Sequence, residues 1–170
     1  VAVNRFTDAV GNNNTAATQY NWTYDGTDPT MTITATDGSS AVSDGATSND
    51  GTLALTFTSS EPTTDFAVSD ITVYNGALSS FAATSSTIYT ATFTPTASGS
   101  ATIDVAANTF TDAVGNNNTA ATQFNWTYDG TVPTMTITAT DGSSDVSDGA
   151  TTNDGTLTVT FTSSEATTNF

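Results

Sequence analysis

The sequence predicts an all-β chain of tandem antiparallel β-sandwich modules, and three observations carry that prediction. The first is a repeat: VAVNRFTDAVGNNNTAATQYNWTYDG, opening at Val1, returns at Val105 as VAANTFTDAVGNNNTAATQFNWTYDG. The offset of 104 residues holds without a gap until Phe66 falls on Phe170, with 56 identities over 66 comparable positions. That period is too long for a solenoid coil of ~20–50 residues and suits one small domain. The second observation is that short Thr-rich runs alternate apolar and polar residues with the period of two that marks a half-buried strand. The third is that turn dipeptides separate these runs every ~8–15 residues, as in a sandwich.

Through one full period the elements follow in order. Met31, Ile33 and Ala35 alternate with Thr30, Thr32, Thr34 and Thr36, and Leu53, Leu55 and Phe57 form the next apolar face. Phe66–Val68 and Ile71–Tyr74 read as a third, bent strand. Asn75-Gly76 then reads as a two-residue hairpin turn with both residues at positive φ. Tyr89, Ala91 and Phe93 make a further strand face, followed by Ala101, Ile103 and Val105, and by Phe124, Trp126 and Tyr128. The last alternation places Trp126, and its equivalent Trp22, in a core. Asp50-Gly51, Ser98-Gly99 and Gly115-Asn116 mark other junctions. No run has helical spacing, and none approaches the ~18 apolar residues of a membrane helix.

The repeat divides the chain into three. Residues 1–26 match the end of a repeat, 27–130 make one complete repeat, and 131–170 match the beginning of the next, as a window cut from a longer array would. A self-contained unit that joins head to tail is the weaker expectation, because the two end pieces together supply only 66 of the 104 positions.

Composition narrows the function. The chain has 17 acidic residues, a single Arg (Arg5), and no Lys, His or Cys, for a net charge of −16. Phosphate and anionic lipid are recognised by Lys and Arg, so neither nucleic acid nor a polybasic membrane contact is expected. Without His, Cys or Lys the usual nucleophile–base pairs cannot be built, which leaves only paired carboxylates for hydrolysis. No enzyme is expected. Zinc is disfavoured for lack of its usual ligands.

Several stretches resemble a known family. Phe57 to Glu61 (again Phe161 to Glu165), Ser69 to Ile71, and the Phe-Thr-Asp-Ala-Val-Gly-Asn run from Phe110 are similar to the bacterial Ig-like repeats of giant surface adhesins. The resemblance implies an Ig-like sandwich of about seven strands per module and an extracellular or cell-surface location. It also implies a stalk stiffened by Ca2+ near module junctions.

Calcium takes six to eight oxygens, and no contiguous loop motif supplies them here. A site must gather ligands from separate loops. An Ig-like topology returns the loop with Glu61 and Asp65 and the loop with Asp112, Asn116 and Asn117 to the pole where the linker with Asp25 and Asp28 arrives. The expected ligands are therefore Asp25, Glu61 and Asp112, with Asp28 and Asp65 as outer candidates, and the arrangement recurs around Asp129 and Glu165. Asp28 becomes Val132 and Asp65 becomes Asn169 in the next copy, which makes those two the weakest candidates. Asp37, Asp44 and Asp50 are expected at the opposite pole, facing the next linker. The plain alternative is that Asp and Asn are ordinary turn residues on an acidic, soluble surface.

Two other patterns lead elsewhere. Rows such as Thr156, Thr158, Thr160 and Thr162 resemble ice-binding arrays, but a twisted sheet does not present a flat lattice. Asn13, Asn21, Asn117 and Asn125 open N-x-T sequons, which matter only in a glycosylating source. The expected function is thus a structural spacer of a secreted or surface-anchored adhesin or filament, with neighbouring repeats and lateral or head-to-tail copies as partners. The alternatives are a glycan- or protein-binding adhesion module and a strand-exchanging fibre subunit.

Overall fold

A computed structural model describes all 170 residues. Residues 31–128 form two sheets packed face to face. The strands are β1 (Met31–Thr36), β2 (Ala41–Val42), β3 (Ala46–Ser48), β4 (Leu53–Ser59), β5 (Ile71–Tyr74), β6 (Gly76–Ala83), β7 (Ile88–Pro95), β8 (Gly99–Val105) and β9 (Phe124–Tyr128). One sheet has the order β2-β1-β4-β7-β6 and the other β3-β9-β8-β5. All pairings are antiparallel except β3 with β9, where Ala46 stands opposite Trp126. A single 3-10 turn, Val68–Asp70, is the only helical element.

The alternation in the sequence becomes the two faces of each strand. Buried and exposed residues alternate throughout β1, and Leu53, Leu55 and Phe57 of β4 are almost wholly buried. Seventeen apolar residues make one core, filled from the second sheet by Ile103, Val105 and Trp126. Phe66 sits at its aromatic centre, with ring centroids 4.9 Å from Tyr89, 5.2 Å from Phe110 and 5.9 Å from Phe57. Burying such rings against one another is the main stabilising term in a domain with no disulfide.

Two expectations need correction. Asn75-Gly76 is not a hairpin turn, because β5 pairs with β8 while β6 pairs with β7 in the opposite sheet. The dipeptide is a corner between sheets. Asn75 has φ +56°, and its Nδ2 donates to the carbonyls of Ala97 and Ser100 at 2.9 and 3.2 Å. Gly76 is needed for space, since a Cβ there would lie 2.7 Å from the Thr94 carbonyl oxygen and closer still to the Phe93 ring. Next, Phe66–Val68 is not strand: the 3-10 turn intervenes, closed by the Asp70 carboxylate accepting from the Ala67 N–H at 2.8 Å. The Ig-like sandwich of about seven strands stands, with two short segments added to it. The long connection after β1 contributes the short β2 and β3, and β6 escapes the period-two rule because its register shifts at a bulge between Ser79 and Ala82, with Ser80 at φ +54°.

The flanking pieces fold only in part. Residues 131–170 form a separate three-stranded sheet of β10 (Met135–Thr140), β11 (Asp145–Val146) and β12 (Thr158–Ser163), whose β10–β12 register repeats that of β1–β4. Residues 1–26 contain no strand, only an isolated bridge between Thr7 and Asn13. Trp22 is therefore 72% exposed, against the sequence expectation, whereas Trp126 is 1% exposed.

Candidate metal centre

One pole of the sandwich is stitched together by backbone and hydroxyl bonds that bring three chain segments into contact. The incoming linker is held on one side by the Thr30 N–H donating to Ser60 Oγ, and by the Ser60 N–H donating to the Thr30 carbonyl, both at 2.9 Å. On the other side the Thr119 N–H donates to the Pro29 carbonyl at 3.0 Å, and Asn116 Nδ2 reaches the Asp25 carbonyl at 3.4 Å. The linker thus lies between the β4–β5 loop, which carries Glu61, and the β8–β9 loop, which carries Asp112.

The result is a triad. Asp25, Glu61 and Asp112 each place one carboxylate oxygen within 4.8 Å of the other two. Oxygens bound to one Ca2+ at 2.3–2.6 Å lie up to about 5 Å apart, so this spacing suits a single ion of that size. The donor set is all oxygen and all anionic, which selects a hard divalent cation over zinc.

Each side chain arrives by a different route. Asp112 is 7% exposed. Its Oδ1 accepts the N–H groups of Val114, Gly115 and Asn116 at 2.7–2.9 Å, and its Oδ2 accepts from Asn116 Nδ2 at 2.8 Å. Gly115, at φ +99°, permits this tight loop. Burial alone would raise the Asp112 pKa, but these donors outweigh it and hold the group below the usual 3.8 as a fixed carboxylate. Asp25 is exposed and caps its own turn by accepting the Thr27 N–H at 3.1 Å. Glu61 is the strained member. Desolvation, then the charges of Asp25, Asp112 and Asp28, push its pKa above the usual 4.5. The only base of the chain, Arg5, is not among the groups acting on it.

The other expected ligands lie elsewhere. Asp28 is exposed beside the triad and adds to the repulsion on Glu61 without joining the three. Asp65 is a strut: its carboxylate accepts from Thr63 Oγ1 at 2.7 Å and from the N–H and Oγ1 of Thr111 at 3.0 and 2.7 Å. Burial opposes ionisation of Asp65, and those bonds override it. The strut joins the two loops that carry Glu61 and Asp112. The two acids that change between copies are thus the two outside the triad. Asp129 and Glu165 keep the local bonds of Asp25 and Glu61, to Thr131 N–H at 3.1 Å and from Glu165 N–H to Ser163 Oγ at 3.3 Å, but have no third carboxylate.

Asp37, beyond the far end of β1, turns inward on its own loop and accepts from Ser39 and Ser40. Asp44 is not at the opposite pole as expected: it lies beside Met31 and Thr32 at the start of β1 and accepts the N–H and Nδ2 of Asn125, at the start of β9, at 2.7 and 3.1 Å. Asn118, which the sequence did not single out, proves central to the triad's scaffold. It is 2% exposed, its Oδ1 accepts the N–H groups of Thr109 and Phe110, and its Nδ2 donates to the carbonyls of Ala106 and Thr119. The run of three Asn residues was its only signal.

Residues 25–128 match the family described as Bacterial Ig-like domain. The chain belongs to that family. No curated protein and no solved structure matches it. The matched Ig-like stretch begins at Asp25, so it contains the whole triad, linker residue included. The Ig-like fold class is non-enzymatic, and bacterial Ig-like domains typically occur in surface or extracellular proteins. No helix of this chain is long and apolar enough to cross a membrane.

Proposed function

We propose that this chain is a spacer of a secreted or surface-anchored adhesin or filament, a tandem Ig-like stalk whose complete module spans 27–130. Calcium bound by Asp25, Glu61 and Asp112 fixes the incoming linker to the module's pole. One observation carries the reading: the triad takes one ligand from the linker and two from the body of the module. A cation there offsets the desolvation and the carboxylate repulsion that together raise the Glu61 pKa, and ties the linker to both loops at once. A flexible joint becomes a stiff one, which is what a stalk requires of its junctions.

Calorimetric titration of the chain with Ca2+ tests this. The expected result is one site in the wild type, with affinity falling at least about tenfold in Glu61→Gln and Asp112→Asn, each of which removes a charged ligand. Binding unaffected by both substitutions would overturn the assignment.

A further inference from the structure

The linker carboxylate of the triad stands between two residues that touch each other. In Tyr24-Asp25-Gly26 the tyrosine ring folds back over the glycine. A Cβ on Gly26 would lie 2.8 Å from Tyr24 Cζ and 2.9 Å from Cε1, with the hydroxyl nearer still, so any larger residue would turn the ring out. Tyr128-Asp129-Gly130 repeats the arrangement, at 2.7 and 2.9 Å from the same ring atoms. The carboxylate between them is held alike each time: Asp25 accepts the Thr27 N–H and Asp129 the Thr131 N–H, both at 3.1 Å. Tyr128 ends a strand of the complete sandwich and Tyr24 lies in no strand, so the four residues set this turn by themselves. The exit of β9 shows what the turn is fastened to. The Tyr128 ring packs on the core, its centroid 5.7 Å from that of Trp126. The Asp129 N–H donates to the Ser48 carbonyl at 2.9 Å, and the Gly130 N–H to Ser98 Oγ at 3.0 Å.

We propose that Tyr24 and Gly26, with their equivalents Tyr128 and Gly130, are positioning residues, a clasp that presents the linker carboxylate to the calcium site of the module that follows. The inference rests on the calcium reading above and supplies the half of the junction that the metal does not. The metal ties Asp25 forwards, to Glu61 and Asp112. The clasp ties the linker aspartate backwards, because the ring that closes over the glycine ends the last core strand of the module before, as Tyr128 ends β9. A bend at the linker must break one hold or the other. Glycine is needed here for the space the ring occupies and not for its dihedral, since neither Gly26 nor Gly130 has a positive φ. A ligand oriented before the ion arrives loses less freedom on binding, which raises affinity without adding a contact.

Calorimetric titration of the 170-residue chain with Ca2+ tests the proposal, using wild type, Tyr24→Ala, Gly26→Ala, the double variant and Tyr24→Phe. Each of Tyr24→Ala and Gly26→Ala should weaken binding by about tenfold, as the loss of a residue that orients a metal ligand does. The double variant should bind no more weakly than either single one, because the added Cβ and the missing ring undo the same contact. Tyr24→Phe keeps the ring and should bind as the wild type does. Both positions precede the first strand of the sandwich, so melting in chelator should be the same for every variant. Losses that add in the double variant overturn the clasp. Binding untouched by Tyr24→Ala and Gly26→Ala but weakened by Glu61→Gln also overturns it, and leaves the calcium reading standing. No calcium binding by the wild type overturns both.

Discussion

The loops Phe6–Asn14 and Phe110–Asn118 have the same amino acids in two contexts, and they differ in what surrounds them rather than in how they fold. Asp8 accepts the N–H groups of Val10 and Asn12 and the Nδ2 of Asn12 at 2.8–3.0 Å, as Asp112 does from Val114 and Asn116. Asn14 makes the same four bonds as Asn118. Yet Phe6 is 63% exposed and Phe110 1%. Asp8 belongs to no group of three carboxylates, whereas Asp112 completes one. The loop is therefore encoded locally, and the carboxylate triad is not: it exists only where a complete sandwich brings the linker and the β4–β5 loop to the same loop.

The largest test of that contrast lies in the core. Trp126→Ala should cost about 3–5 kcal/mol of stability, because it empties a packed site, while Trp22→Ala in dilute solution should shift stability by less than about 0.5 kcal/mol. Chemical denaturation of the two variants checks this. Equal costs would mean that Trp22 is packed after all.

A smaller effect separates the two amide clamps. Asn118→Ala strands the buried N–H of Phe110 and the part-buried N–H of Thr109 and should cost about 1–3 kcal/mol, whereas Asn14→Ala acts on exposed groups that water can satisfy. Urea melts of both variants, compared with wild type, measure the difference. Similar midpoints for the two would show that the clamp contributes only locally.

The smallest effect is in the pH profile without calcium. Glu61 is raised in the folded state above 4.5, so its ionisation is a cost present at neutral pH and relieved as pH falls through its folded value. Asp112 and Asp65 are lowered below 3.8, so the stability they contribute is present above that value and lost as pH falls below it. Melting temperature in chelator should thus rise slightly as pH falls from neutral towards 4.5 and fall once pH drops below 3.8. Glu61→Gln should flatten the first limb and leave the second. A profile that only falls on acidification would contradict the repulsion at Glu61.

Much of this was legible in the sequence because the repeat and the period-two faces are local patterns. β1, β4, β7, β8 and β9 follow directly from where Ile33, Phe57, Phe93, Ile103 and Trp126 stand. The family resemblance supplied the topology that put Glu61 and Asp112 at one pole, and the linker did the rest. What stayed hidden was non-local. Asn75-Gly76 has the same local signal whether its flanking strands pair with each other or with β8 and β7. Asp65 offers the same carboxylate whether it binds a cation or braces Thr111. Trp22 alternates as Trp126 does, but alternation cannot say whether a partner strand is present.

Amide hydrogen exchange at the two linkers, with and without calcium and under dilute conditions, tests the central claim most directly. Gly26–Asp28 precede a complete triad, and Gly130–Val132 precede one that lacks its third carboxylate, so the molecule contains its own control. Calcium should slow exchange at Gly26–Asp28 by about tenfold or more and leave Gly130–Val132 unchanged. Equal slowing at both linkers, or none at either, would contradict a junction fixed by Asp25, Glu61 and Asp112.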